Sequence, residues 1–156
     1  MTTEIIDPGD SIKSTIFYTK LVIPLLNKDY ETASEAFDDE CEWLMMSKMR
    51  KPKGKKSCIE LCMQGFNVLD KPLEILFNTS TPDWGVFEYI NRGVVTKDLN
   101  VLDMYDPDFK HAEDLTLHVG KEYFVAVCFV YHTNSLGKIY LVHEYFDLES
   151  LKNQLK

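Results

Sequence analysis

The stretch from Tyr123 to Tyr131 constrains this chain more than any other, because it is apolar on both of the faces that a strand presents. Alternation places Tyr123, Val125, Val127 and Phe129 on one side and Phe124, Ala126, Cys128 and Val130 on the other. A strand of that kind needs cover on both sides. One face is expected to line a core or pocket, and the other to meet a second copy of the chain.

The surroundings of this strand read as helices first and strands afterwards. Asp10 can cap a helix whose apolar positions are Ile12, Ile16, Ile23 and Leu26, with Pro24 kinking or shortening its end. Tyr30, Ala33 and Phe37 mark a short second helix that ends in the acidic turn Asp38, Asp39, Glu40, and a strand over Cys41 to Met46 follows. A third helix carries Ile59, Cys62, Met63 and Phe66 on its apolar face. Leu73 to Thr79, Val86 to Val95, Lys121 to His132 and Lys138 to Phe146 then read as strands, the last two joined by the turn Thr133-Asn134-Ser135-Leu136-Gly137. Thr96 to His118, rich in Asp and Glu, reads as a surface insertion or lid. Helices followed by an antiparallel sheet imply an α+β layer in which the sheet curls around a helix, and a curled sheet leaves a concavity. With 156 residues, 45% of them hydrophobic, the chain 1–156 is expected to form a single domain around one core.

Charge narrows the functional classes. The 25 acidic against 17 basic residues give a formal net charge of -8, which argues against general affinity for nucleic acid or anionic membranes. Met1 to Asp10 lacks the basic and apolar stretches of a signal peptide, and no apolar run reaches the ~20 residues that span a bilayer, so the cytosol is the expected location. The four cysteines lack metal-ligand spacing and read as buried thiols; no metal and no cofactor is expected. The basic run Lys48, Arg50, Lys51, Lys53, Lys55, Lys56 admits three readings: a solvated loop, a rim that attracts an anionic ligand, or a nuclear-import or nucleic-acid patch.

The residues of the last strands carry a family resemblance. Gly137-Lys138-Ile139-Tyr140-Leu141-Val142-His143-Glu144-Tyr145-Phe146-Asp147 resembles the closing strand of SnoaL-like proteins of the nuclear-transport-factor-2-like superfamily. Together with Phe87-Glu88-Tyr89-Ile90-Asn91-Arg92-Gly93 and Gly120-Lys121-Glu122-Tyr123, it is most similar to the branch of the phenazine-biosynthesis and ketosteroid-isomerase-related proteins. The resemblance implies a cone-shaped α+β roll, the cystatin-like arrangement of a curled sheet around N-terminal helices, together with a small-molecule pocket and a homodimer. It also implies a proton-donating role for Glu144, which matches an acid of the phenazine-related branch. The chain departs from better-defined relatives at several positions. Leu44, Met45 and Met46 stand where ketosteroid isomerases carry an Asp base, and Val94 stands where limonene-epoxide-hydrolase relatives pair an Asp with the matched Arg92. Val125 stands where the phenazine-related pattern carries an aromatic hydroxyl.

The candidate site therefore centres on Glu144, whose charged form would be disfavoured among Val142, Phe146, Val125 and Val127. The bland alternative is a carboxylate paired with Arg92 or His143. Tyr18, Trp43, Trp84 and Tyr89 are candidates for an aromatic box around a planar ligand, or for ordinary packing, with Trp43 the first choice. Glu88 and Arg92, four apart on one strand, either orient a ligand or bridge charges across the sheet. Two classes of function follow. One is an isomerase, cyclase or dehydratase that acts on an apolar polycyclic or planar substrate without a cofactor. The other is a non-catalytic ligand-binding or dimerisation module.

Overall fold

Pro24 sets the shape of the first helix, because it has no N–H to give to the carbonyl of Lys20. The chain widens to a π-helical turn, Tyr18–Val22, in which Ile23 N–H reaches back to the Tyr18 carbonyl, and then runs into α1 (Ile23–Leu26). The structure, a computed structural model, describes residues 17–47, 51–70, 73–105 and 113–156. The expected cap Asp10 and the helical positions Ile12 and Ile16 lie outside the described residues, as do Lys48 and Arg50 of the basic run. Within the helix the buried stripe is Phe17, Tyr18, Leu21, Val22 and Leu25, whereas Ile23, expected on the buried face, is 37% exposed. The stripe follows Leu21 and Leu25 at i, i+4, which leaves Ile23 on the far side.

Asp29 caps α2 (Tyr30–Ser34) by accepting the Thr32 N–H at 3.1 Å. The second helix was expected to reach Phe37 and an acidic turn; instead β1 (Phe37–Met45) begins there, because Phe37 pairs with Ile139 and Ile139 N–H donates to the Ala36 carbonyl. The acidic residues are thus strand residues, with a register irregularity between Phe37 and Glu42. The helix α3 (Lys55–Asn67) packs against β1 and buries Cys58, Ile59, Leu61 and Cys62. Met63 and Phe66 are only partly covered.

The strands β2 (Glu74–Ser80) and β3 (Trp84–Val94) are followed by a two-residue strand β4 (Leu99–Asn100), a 3₁₀ turn over Val101–Met104 and its partner β5 (Thr116–Leu117). Then come β6 (Glu122–Thr133) and β7 (Ile139–Phe146). The large sheet has the order β1-β7-β6-β3-β2, in which β1 runs parallel to β7 and every other neighbour is antiparallel. The result is a curled, mixed α+β sheet. The hairpin between β6 and β7 closes as the Asn134 side chain accepts the Leu136 and Lys138 N–H groups and Gly137 turns through φ 71°. A fourth helix, α4 (Leu148–Leu155), follows β7 with Asp147 as its cap, its side chain accepting Ser150 N–H at 2.9 Å.

One face of the sheet carries an aromatic core. Phe17 stacks on Tyr131 with centroids 4.7 Å apart, and Trp43 meets Phe129 edge-on at 4.9 Å. The segment between β3 and β6 also packs inward: Val101, Leu102, Tyr105, Leu115 and Leu117 are all buried despite its acidic composition. Cys41, Cys58 and Cys62 are buried free thiols and Cys128 is half-buried, and no cluster of potential metal ligands occurs among the described residues.

Gly85 marks the tightest point of the core. A Cβ there would lie 2.2 Å from the Tyr131 hydroxyl, 2.3 Å from its ring carbon Cζ and 2.8 Å from the Thr79 carbonyl. Gly85→Ala is expected to cost at least about 2 kcal/mol in urea unfolding. Tyr131→Phe should restore little of it, since the ring carbon and the backbone remain in the way.

Candidate functional site

Strand alternation sends Val142, Glu144 and Phe146 to the inner face of β7 and Tyr145 outward. Because β7 is hydrogen-bonded on both sides, with Glu144 opposite Phe129 on β6 and Met45 on β1, the carboxyl group is fixed beneath the sheet. Glu144 is 5% exposed.

An apolar cavity of about 80 Å³ lies beside it, bounded by Val125, Val127 and Phe146 of the sheet, Gly65 of α3, and Met104 and Tyr105 of the segment after β4. A smaller void of about 20 Å³ also borders Glu144, against Trp43, Cys62 and Phe129. Glu144 therefore lines two nonpolar spaces. Burial pushes its pKa up to about 7. Two dipoles oppose that shift without cancelling it: the Tyr105 hydroxyl, which donates to Oε1, and the indole N–H of Trp43. The Trp43 N–H meets no acceptor in good hydrogen-bond geometry, so it counts as a polar contact to the carboxyl rather than a bond. Burial and the neighbouring Glu144 charge likewise hold Tyr105 protonated, well above the usual tyrosine value.

The expected site residues divide by position. Glu144, Val125 and Phe146 border the main cavity, and Trp43 borders the smaller void. Val142 is fully buried one step along β7, and Tyr18 is buried on the N-terminal helix; neither borders these spaces. Glu88 and Arg92 alternate with the inward-facing Phe87, Tyr89 and Asn91, and so occupy the opposite face of β3. Arg92 pairs there with Glu74 at 2.9 Å and lies over the Phe124 ring, so it does not neutralise Glu144. Trp84, also on that side, is exposed, while Tyr89 lies at the cavity wall.

The sequence reading missed three neighbours of the acid. Tyr105 and Met104 come from a segment whose sole sequence signal is the spacing Val101, Leu102, Tyr105 in an acidic stretch. Asn91 lines the cavity and gives its side-chain N–H to the Gly65 carbonyl at 3.2 Å; alternation with Phe87 and Tyr89 could have found it.

The described lysines of the basic run are paired. Lys51 meets Glu42 at 2.5 Å, Lys53 reaches Glu40 and Glu42, and Lys55 meets Asp39 at 3.2 Å. These described lysines are interleaved with the acidic side chains of β1.

No protein-family model matches the sequence, and no curated protein matches it. Solved structures do share its fold. An NTF2-like protein of unknown function from Cytophaga hutchinsonii is 19% identical, with 85% of this chain and 96% of that chain covered and a TM-score of 0.54. A SnoaL-like protein from Shewanella putrefaciens is 10% identical over 90% and 93% of the two chains, with a TM-score of 0.61. An LEH-like epoxide hydrolase from M. tuberculosis is 14% identical over 93% and 88%, with a TM-score of 0.59. Taken with the curled mixed sheet and its helices, these likenesses establish that the chain has the NTF2-like, SnoaL-like fold.

Proposed function

We propose that this protein is a cofactor-independent acid–base enzyme of the isomerase, cyclase or dehydratase type, in which Glu144 gives a proton to a small apolar substrate and takes one back. The observation that carries the reading is a carboxyl group buried at the wall of an apolar cavity, with its pKa pushed up to about 7 and a tyrosine hydroxyl in contact. An acid poised at that value holds enough proton to donate and enough anion to accept near neutrality. Tyr105 would hold the carboxyl in one orientation and stabilise the anion left after transfer. The free space has room for about two or three water-sized groups, well below the ~150 Å³ of a cavity that holds benzene. A polycyclic substrate therefore requires Met104 and Tyr105 to move; a short or single-ringed one requires less displacement.

A second reading, association of two copies through the outer sheet face, rests on a separate observation. Phe124 and Tyr145 there are 41% and 44% exposed, beside the half-buried Ile90, Cys128 and Val130. Exposed aromatic side chains interspersed with Glu88 and Arg92 on one sheet face fit a homodimer contact. Sedimentation at micromolar concentration should give twice the chain mass, and Val130→Lys should reduce it to one; a monomeric wild type would remove this reading. Among the described residues no helix is long and apolar enough to cross a membrane.

The titration of Glu144 has a consequence for stability. The native state holds the proton more tightly than the unfolded chain, whose carboxyl titrates near 4.5. The stabilising contribution is complete below about pH 4.5 and is lost as the pH rises through about 7, a change on the order of 3 kcal/mol. Glu144→Gln should flatten that slope in urea unfolding and be the more stable protein at pH 8. Parallel slopes for the two proteins would show that Glu144 titrates as an ordinary carboxylate.

Catalysis is tested on whatever small molecule native mass spectrometry finds bound to protein from its own cells. Wild type should convert that molecule, whereas Glu144→Gln should bind it and turn it over roughly 10² to 10⁴ times more slowly. Equal conversion by both proteins, or conversion by neither, would move the assignment to a non-catalytic binding module.

A further inference from the structure

The cavity beside Glu144 has polar side chains at both ends of its sheet wall. Glu144 lies opposite Phe129 of β6, whereas Asn91 of β3 lies opposite Val125. Phe129 and Val125 are separated by about 13 Å of strand, with Val127 and Phe146 of the cavity wall between them. Asn91 therefore marks the end of the cavity remote from the acid.

Its amide is oriented by the helix beside it. Asn91 is 7% exposed and gives its side-chain N–H to the Gly65 carbonyl at 3.2 Å. The reversed amide would set oxygen against oxygen, so the bond fixes which end is which. Among the described residues the side-chain carbonyl oxygen is left without a protein donor, on a residue that lines the cavity. A buried amide oxygen in that state costs free energy, which a ligand recovers by donating to it. Tyr123, opposite Gly93 and two residues before Val125 on the same face, is the diagonal neighbour of Asn91 and lines the cavity as well. Among the described residues of the lining, Glu144 is the sole carboxylate, and Lys, Arg and His do not occur. A charged head at the Asn91 end would lose its hydration with no countercharge beside it, so a neutral head is favoured there.

We propose that Asn91 and Tyr123 form a hydroxyl-binding subsite, and that the substrate is a short neutral alcohol whose hydroxyl donates to the Asn91 carbonyl oxygen and lies against the Tyr123 hydroxyl. The substrate class rests on the acid–base reading above; the subsite itself does not. Held at this end, the hydroxyl anchors the molecule and stays clear of the acid, so the proton of Glu144 goes to another part of the substrate.

The test compares 1-butanol with its isomer methyl propyl ether, which has the same atoms and accepts a hydrogen bond but cannot donate one. Each is titrated into the intact protein and followed by NMR at the Asn91 side-chain amide signals. The expected result is that 1-butanol moves those signals and binds at least about five-fold tighter than the ether. Its oxygen-bearing CH₂ group should show nuclear Overhauser contacts to the Tyr123 ring. Asn91→Leu, close in size and without the acceptor, should bring the two probes within about two-fold of each other. Equal affinity in wild type, unmoved Asn91 signals, contacts of the CH₂ group with Tyr105 instead of Tyr123, or a preference retained in Asn91→Leu would each overturn the subsite. If Asn91→Leu loses its fold along with the bond to Gly65, the wild-type preference and contacts decide the matter alone. All of these readouts report binding without turnover, so the subsite can stand where the catalytic reading fails and fail where it stands.

Discussion

The parallel pairing of β1 with β7 is the contact on which the rest of the molecule depends. It joins the end of the chain to its beginning and brings α3, which follows β1 directly, over the same face as the inner side of β6 and β7. Without it β7 would be an edge strand, and Glu144 would sit at a margin open to water. With it, the carboxyl group is enclosed by Trp43 from one neighbour and Phe129 from the other. The raised pKa of the acid is thus a property of topology: desolvation comes from which strand lies where, and only the opposing dipoles come from individual side chains. Joining such distant segments is also slow to form, since loop closure precedes any gain from pairing.

The fold was legible where one local pattern and one long-range need agreed. The two-sided strand around Val127, the turn at Asn134 and Gly137, and the apolar stripe of α3 each specify their element without help from elsewhere. Legibility failed where a partner decided the matter. Asp38, Asp39 and Glu40 have the composition of a turn, yet they lie in the irregular stretch between the Phe37–Ile139 and Glu42–Leu141 pairs, and the pairing on either side carries them as strand. The helix α4 was overlooked although Asp147, Leu148 and Leu151 spell a cap followed by an apolar stripe, because the same Asp147 had been absorbed into the ending of a strand motif.

The site divided in the same manner. Glu144 was named from the family resemblance and its apolar neighbours, and Trp43 as the first of four aromatic candidates; both occupy inward positions, on β7 and β1. Glu88 and Arg92 share a face, as alternation requires, but alternation alone cannot say which face is inside; the burial of Phe87, Tyr89 and Asn91 decides that. Tyr105 had only the spacing Val101, Leu102, Tyr105 to mark it. Its role depends on a short 3₁₀ turn held by Asn100, whose side chain accepts the Leu102 N–H at 3.0 Å, and by the pairing of Leu99 with Leu117.

That weak local scaffold bears on how the acid works. Glu144 is carried by a central strand with hydrogen-bonded neighbours on both sides, whereas the hydroxyl that touches it is carried by a segment with two-residue strands and one turn of 3₁₀ helix. In such a pairing the rigid partner sets position and the less supported partner can yield to a ligand. If Tyr105 yields, the acid loses one of the two dipoles that favour its anion, and a ligand that also excludes water would leave the proton on Glu144 more firmly than in the empty protein. Such a coupling would keep the carboxyl group protonated while the site is filled, which is the state from which a proton can pass to an apolar ligand.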